Sequence, residues 1–323
     1  MFLVVGESLV DLIAAAGSWR FEAAPGGSPL NVAVGLAAAG QRVRLASEIG
    51  DDMFGTLVRD HLARYEVDTT DLRPAAGPTS LAFAQVDGDG VARYDFRFGW
   101  EWSARPALDG VACLHTGSLA AVVDPGAAAV RAVVEAARRR GITVCYDPNV
   151  RPALAGPHPA AVARTEQMVA AAGIVKVSAD DLAWLYPGTP DVAAARRWAR
   201  LGPLLVVVTR GGAGAVALHG GRLAECAAPA VEVVDTVGAG DAFTAGLLSS
   251  LADQGALAGA DHLAGADHLA GADHPAVAAA LGHATATAAA ACARPGGAPP
   301  APDAVRALVA DTTVHWSGPA PRY

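Results

Sequence analysis

At 323 residues, with 52% hydrophobic and 17% charged residues, the chain is long and apolar enough for one large globular domain, alone or with a small appendage, and is not a disordered segment. Its net charge of −8, with Lys176 the single lysine among 24 basic residues and no basic run, excludes a nucleic-acid groove built on phosphate contacts. Cys113, Cys145, Cys226 and Cys292 lie far apart without CxxC spacing and read as buried free thiols in a reducing cytosol, which makes a cytoplasmic protein the expectation.

The opening, MFLVVGESLVDLIAAAG, is broken by Glu7 and Asp11, with no basic leader and no apolar run of membrane-spanning length. Phe2–Val5 predicts a strand buried on both faces, ending at Gly6-Glu7. Asp11 lies beyond that strand's carboxyl end, where open α/β sheets keep their ligand crevice, and reads as a ligand contact or a rim acid. In PGGSPLNVAVGLAAA, residues 25–39, Gly26-Gly27 is a tight turn, Ser28 an N-cap, and Pro29 the first helical position. Asn31 then sits in the first turn of an apolar helix. An amide there can donate and accept toward a polyol, or simply remain exposed. Val43–Ile49 is another buried-strand candidate, and GDDMFG after it is a polar turn before a helix.

Residues 79–99 alternate as two strands around an Asp87-Gly88-Asp89-Gly90 hairpin signal, with Phe96, Arg97 and Trp100 placed to close over a substrate. From Cys113 onward, apolar runs alternate with alanine-rich helices, which predicts a mostly parallel sheet with helices on both faces. Polar residues collect just after the strands: Asp147, Asn149, Arg151, Ser178, Asp181, Thr209 and Arg210. Gly211, Gly212 and Gly214 permit close approach of a base or phosphate chain, although there is no GxGxxG and no Walker lysine motif.

Residues 234–248, VDTVGAGDAFTAGLL, carry the densest chemistry. Gly238 and Gly240 let several N–H groups converge at the positive end of a following helix, a place suited to a phosphoryl group. Asp241 beside them reads as an acceptor for a substrate hydroxyl proton or as a mere N-cap. The ADHLAG repeat at 260–275 brings three histidines, but six helical residues turn about 600° and rise about 9 Å, so one ion cannot gather them. A tandem duplication in a surface loop is the better reading. Residues 276–293 form a helix candidate ended by RPGGA, and a short helix at 303–310 precedes a loosely ordered tail.

Together, DTVGAGDAF at 235–243 resembles the second signature of the ribokinase-like (PfkB) sugar kinases, and GGSPLNVA at 26–33 with IGDDMFG at 49–55 resembles their first. Within that family, GGSPLNVA and DPNVRP at 147–152 resemble fructokinases and 2-keto-3-deoxygluconate kinases, and the lysine usual in ribokinases is absent from the first motif. The resemblance implies a three-layer α/β/α sandwich with a mostly parallel central sheet over residues 1–310, a small β-stranded lid from about 12–24 and 79–103, and a tail at 311–323. It implies Asp241 as catalytic base, with Gly238, Ala239 and Gly240 as the anion hole. Asp11, Gly27 and Asn31 match positions that bind sugar hydroxyls. Ser178, Thr209, Gly211 and Gly214 match the nucleotide site. Asp181, or its neighbour Asp180, stands where relatives carry a glutamate that organises magnesium-bound water, and Asp235 with Thr236 matches a monovalent-cation loop. An asparagine common in relatives before the last glycine turn is missing from HATATAAAACARPGG, which leaves the adenine pocket unassigned.

The expected reaction transfers the γ-phosphoryl group of Mg-ATP to a primary hydroxyl of a ketose, fructose first, with K⁺ as a further ion and Arg151 meeting charge on the phosphoryl oxygens. The rival is 2-keto-3-deoxygluconate, whose carboxylate needs a cation such as Arg97. Ribose or a nucleoside ranks lower, and a non-catalytic sugar- or nucleotide-binding protein is the reading from another class. No nucleic-acid or membrane partner is expected, and a homodimer through the lid is.

Overall fold

In the computed structural model, residues 1–14, 17–86, 92–257 and 274–318 are described. The chain opens with β1 (Phe2–Val5), β2 (Leu9–Ala14), β3 (Glu22–Gly26), α1 (Ser28–Ala38), β4 (Val43–Ile49) and α2 (Met53–Arg64). It continues through β5 (Leu72–Pro74), β6 (Ser80–Val86), β7 (Ala92–Arg97), β8 (Cys113–Gly117), α3 (Gly126–Arg139), β9 (Thr143–Asp147) and α4 (His158–Ala171). Next come β10 (Ile174–Ser178), α5 (Ala179–Leu185), α6 (Asp191–Ala199), β11 (Leu205–Thr209), β12 (Ala215–His219) and β13 (Arg222–Cys226). The last elements are α7 (Ala239–Asp253), α8 (His274–Cys292), α9 (Pro302–Val309) and β14 (Val314–Ser317).

Ten strands form the main sheet in the order β14-β13-β12-β11-β10-β9-β8-β1-β4-β5. From β5 to β11 all neighbours are parallel, and β12, β13 and β14 extend that edge antiparallel. Strand alternation divides the apolar side chains into two cores. Phe2 and Val4 face α1, α2, α7 and α8, whereas Leu3 and Val5 face α3, α4, α5 and α6. The result is the three-layer α/β/α sandwich with a mostly parallel sheet expected from the apolar runs.

A separate four-stranded sheet, in the order β3-β2-β6-β7, forms the lid. Asp52 ties it to the main body: its side chain caps α2 at Gly55 N–H, 2.8 Å away, and also accepts from the Thr79 N–H and hydroxyl, each at 2.8 Å. Those charge-assisted bonds hold its carboxyl below the usual carboxylate range, against the effect of burial.

Helices α1 and α7 pack closely because small residues meet. A Cβ on Gly35 would come 2.7 Å from that of Ala245. Helix α8 is apolar and 19 residues long, and its Val277, Leu281 and alanine face is buried in the main core, so it reads as a core helix.

Two expectations change. The tail after Asp311 is not all loose, since β14 pairs with β13 through backbone bonds that residue composition does not announce. Ser28 is not the N-cap of α1; Gly27 holds that position at φ 102°, which frees the Ser28 hydroxyl for another partner. The Asp87–Gly90 hairpin turn and the ADHLAG repeat before His274 lie outside the described residues.

Candidate active site

The first turns of α1 and α7 meet above the sheet and grip one carboxylate. Asn31 Nδ2 donates to Asp241 Oδ2 at 2.8 Å, and the Ser28 hydroxyl donates to Asp241 Oδ1 at 2.6 Å. Two segments some 210 residues apart in sequence therefore converge on one group. Asp241 is 7% exposed, and burial raises its pKa, opposed by the Ser28 and Asn31 hydrogen bonds and by the charge of Lys176. It is the third residue of α7 and not its cap; Gly238 takes that place in the left-handed region at φ 73°. The N–H groups of Gly238, Gly240 and Asp241 meet no acceptor among the described residues, as expected at a helix start, while Ala239 N–H turns back to the Thr236 carbonyl at 3.2 Å. Converging free N–H groups beside an acidic side chain can hold an anion and accept a proton in one place.

A cavity of about 360 Å³ opens beside this carboxylate. The lid contributes Asp11, Ile13 and Phe96, and the main body contributes Asn31, Arg151 and Lys176. Gly26 and Gly27 are glycines for reasons of space: a Cβ on Gly26 would strike the Asp11 carboxylate, and one on Gly27 would come 2.7 Å from the Glu7 carbonyl oxygen. Burial, then the neighbouring charge of Asp241, pushes the Asp11 carboxyl up to about 6, with Arg151 acting the other way. Glu7, also on the wall, is pushed up to about 7 by burial, although the Ser118 hydroxyl and Ala120 N–H, at 2.9 Å, favour its ionised form. Ser118 and Asn149 at the cavity rim hold φ of 53° and 38°, uncommon for residues with a Cβ. A second hollow of about 280 Å³ shares Asn31 and Asp241 but runs along the outer side of α7 toward Arg306.

On the neighbouring strands, Ser178 and Thr209 stand opposite one another at the carboxyl ends of β10 and β11. Ser178 caps α5 at Asp181 N–H, 2.9 Å away, and the Thr209 hydroxyl donates to the Val177 carbonyl at 3.4 Å. Gly211 and Gly214 take φ of 55° and 90° in the turn that follows; Gly211 has open space beside it, whereas a Cβ on Gly214 would strike the Cys226 carbonyl. This row borders the strand that carries Lys176 into the cavity.

The family model described as pfkB family carbohydrate kinase matches residues 1–304. The chain belongs to that family.

This carbohydrate kinase is 35% identical to the fructokinase of Klebsiella pneumoniae over 267 residues, covering 78% of the chain and 84% of that protein. Its fold superposes on fructokinase from Vibrio cholerae O395, with fructose, ADP and calcium bound, at a TM-score of 0.81 and 26% identity, covering 95% of this chain and 98% of that one. A double mutant of the Vibrio enzyme, with fructose, ADP and potassium bound, matches at the same score and identity, over 95% of this chain and 97% of that one. Aminoimidazole riboside kinase from Salmonella enterica, complexed with aminoimidazole riboside and an ATP analog, matches at 0.79 and 27%, over 95% of this chain and 99% of that one.

Of the kinase's expected site residues, Asp241, Gly238, Gly240, Asp11, Gly27, Asn31, Arg151 and Thr236 border one cavity. Arg97 does not. Its side chain is 66% exposed, pairs with Asp95 at 2.8 Å and lies over the outer ring of Phe83, because alternation along β7 sends Phe96 inward in its place. Trp100 is no lid residue either. It is buried, stacks on Trp102 and donates to the Ala120 carbonyl at 3.1 Å. Asp181, not the exposed Asp180, turns inward, and its Oδ1 accepts Val150 N–H at 3.0 Å. Asp235 accepts Val237 N–H and Gly296 N–H, each at 2.9 Å, and so joins the loop before α7 to the turn after α8.

Sequence reasoning missed Ser28, Glu7 and Lys176 as site residues, and named Asp147 only among the polar strand ends. Lys176 and Asp147 form a buried ion pair at 2.8 Å on β10 and β9. The signal was present in IVKVS, where the chain's one lysine interrupts a strand otherwise fit for burial on both faces.

Proposed function

We propose that this kinase phosphorylates fructose at a primary hydroxyl, with Mg-ATP as donor. The observation that carries the reading is the Asp241 carboxylate, held by Ser28 and Asn31 at the wall of a cavity shared with Asp11. Asp11 and Asn31 orient the sugar hydroxyls. Asp241 takes the proton of the attacking hydroxyl, and the unspent N–H groups at the start of α7 receive the phosphoryl oxygens. The lid side chains exclude water that would otherwise hydrolyse ATP. The neutral ketose is favoured over a sugar acid because the lid's Arg97 faces solvent and the Arg151 charge already faces Glu7 and Asp11. The place of Arg151 in the cavity keeps 2-keto-3-deoxygluconate as the second reading.

The nucleotide lies along Ser178, Thr209, Gly211 and Gly214. Asp181 suits a water-bridged magnesium ion, since its side chain turns inward and its Oδ1 is fixed by the Val150 N–H. Bound magnesium would neutralise charge on the phosphate oxygens. Around Asp235 and Thr236, both carboxylate oxygens of Asp235 already accept backbone N–H groups, so potassium there would rest chiefly on carbonyls. A cytoplasmic location agrees with the free thiols. A homodimer through the lid would cover Trp19 and Phe21, which are exposed.

ADP release from Mg-ATP, measured with fructose, ribose, 2-keto-3-deoxygluconate and adenosine, tests the acceptor. Fructose should give the highest kcat/KM; a higher value for the sugar acid or the nucleoside would replace it.

A further inference from the structure

The phosphoryl-transfer site has a cation that no motif announces. Lys176 points from β10 into the cavity and is 4% exposed. A Cβ placed on Gly240 would lie 2.9 Å from Nζ, so the ammonium rests directly under the glycine turn that opens α7. Of its three N–H groups one goes to Asp147 Oδ2 at 2.8 Å, and no other hydrogen-bond partner is present among the described residues. Burial opposes the charge, but Asp147, then Asp241 and Asp181, hold its pKa above the ordinary lysine value, so it stays an ammonium. Arg151, the other cavity cation, spends Nη1 on the Asn149 and Val150 carbonyls and the Asn149 side chain.

A buried pair of this kind is a poor way to hold a fold together. Taking two charges out of water costs about as much as their attraction returns, and a packed apolar pair commonly does as well. The position makes more sense in the reaction. The transferring group spreads negative charge over three oxygens, and a fixed cation in a site poor in water stabilises that charge without reorganising.

Resting on the kinase reading above, we propose that Lys176 is a catalytic residue, whose ammonium, anchored by Asp147 beneath the Gly238–Gly240 turn, donates a hydrogen bond to the phosphoryl group during transfer. In that step the sugar oxygen forms a bond to the γ-phosphorus as the bond to the β,γ-bridging oxygen breaks. ADP leaves with the electron pair, the hydroxyl proton passes to Asp241, and Lys176 keeps its own protons.

The test uses Lys176→Met and, because a lone buried Asp147 could unfold the single variant, the double variant Lys176→Met/Asp147→Asn. Turnover of the double variant should fall roughly 10²–10³-fold with the KM for fructose changed less than about 5-fold. Affinity is read separately, for MgADP and for MgADP with aluminium fluoride, each with and without fructose. The fluoride complex, which mimics the group in flight, should bind the wild type more tightly than MgADP does, and the variants should lose that margin while keeping their affinity for MgADP. A margin absent from the wild type or retained in the double variant, or turnover within about 5-fold of wild type, overturns the proposal. A wild type that binds the fluoride complex but ignores fructose overturns the acceptor alone.

Discussion

Glu7 shows how one buried group ties pH to the wall of the cavity beside Asp241. Its carboxyl accepts from Ala120 N–H and so anchors the turn after β8, whose Ser118 and Leu119 line the cavity. Burial raises it from 4.5 to about 7, so between those values the folded chain keeps a proton that the unfolded chain has released. Stability from this group is therefore full below 4.5 and declines as pH rises, with the loss complete just above 7. Glu7→Gln does not titrate. Its unfolding free energy should match wild type near pH 4.5 and exceed it near about pH 8, by about 3 kcal/mol at most. Equal melting curves for the two proteins at both pH values would show that folding leaves the Glu7 pKa unshifted.

Arg97 makes the opposite case at the same scale: a charged residue placed by motif in the site and by geometry outside it. Arg97→Ala should leave the KM for fructose within about 2-fold, because an exposed pair with Asp95 contributes little. A tenfold rise in KM would bring the side chain back to the substrate.

At the scale of elements, the joint between β3 and α1 controls the site. Gly27 holds φ 102° with no room for a Cβ against the Glu7 carbonyl, and the helix it starts delivers both Ser28 and Asn31 to Asp241. Gly27→Ala should cost about 1–3 kcal/mol of stability and raise the KM for fructose, as read by thermal melting and steady-state kinetics. An unchanged KM would mean that the helix start moves without consequence.

The elements also show what was legible in the sequence. Continuous apolar runs announced the parallel strands, and Pro29 after a Gly-Gly pair announced α1, because those signals are local. The partner of the Ser28 hydroxyl was not legible, since it lies in α7 and only the packed fold brings it near. Lys176 was hidden for the same reason. Whether a polar residue in a buried strand faces a core or a cavity depends on what covers that point of the sheet. The pairing of β14 was missed because four residues of an edge strand carry too little pattern to stand out from a tail.

At the scale of the whole molecule, the account depends on one convergence. The parallel sheet ends its strands at Asp147, Ser178 and Thr209, the lid lowers Asp11 and Phe96 toward them, and the starts of α1 and α7 close the remaining side around Asp241. Each part alone has an ordinary structural reading, and together they bring the Asp11 and Asp241 carboxylates, the Lys176 ammonium and the start of α7 around one cavity.

The most direct test of that convergence is the turnover of Asp241→Asn with fructose and Mg-ATP. The substitution keeps the size of the side chain and removes its capacity to take a proton. Turnover should fall roughly 10²–10⁴-fold while fructose binding stays nearly intact. Turnover equal to wild type would contradict the assignment of Asp241 as the base.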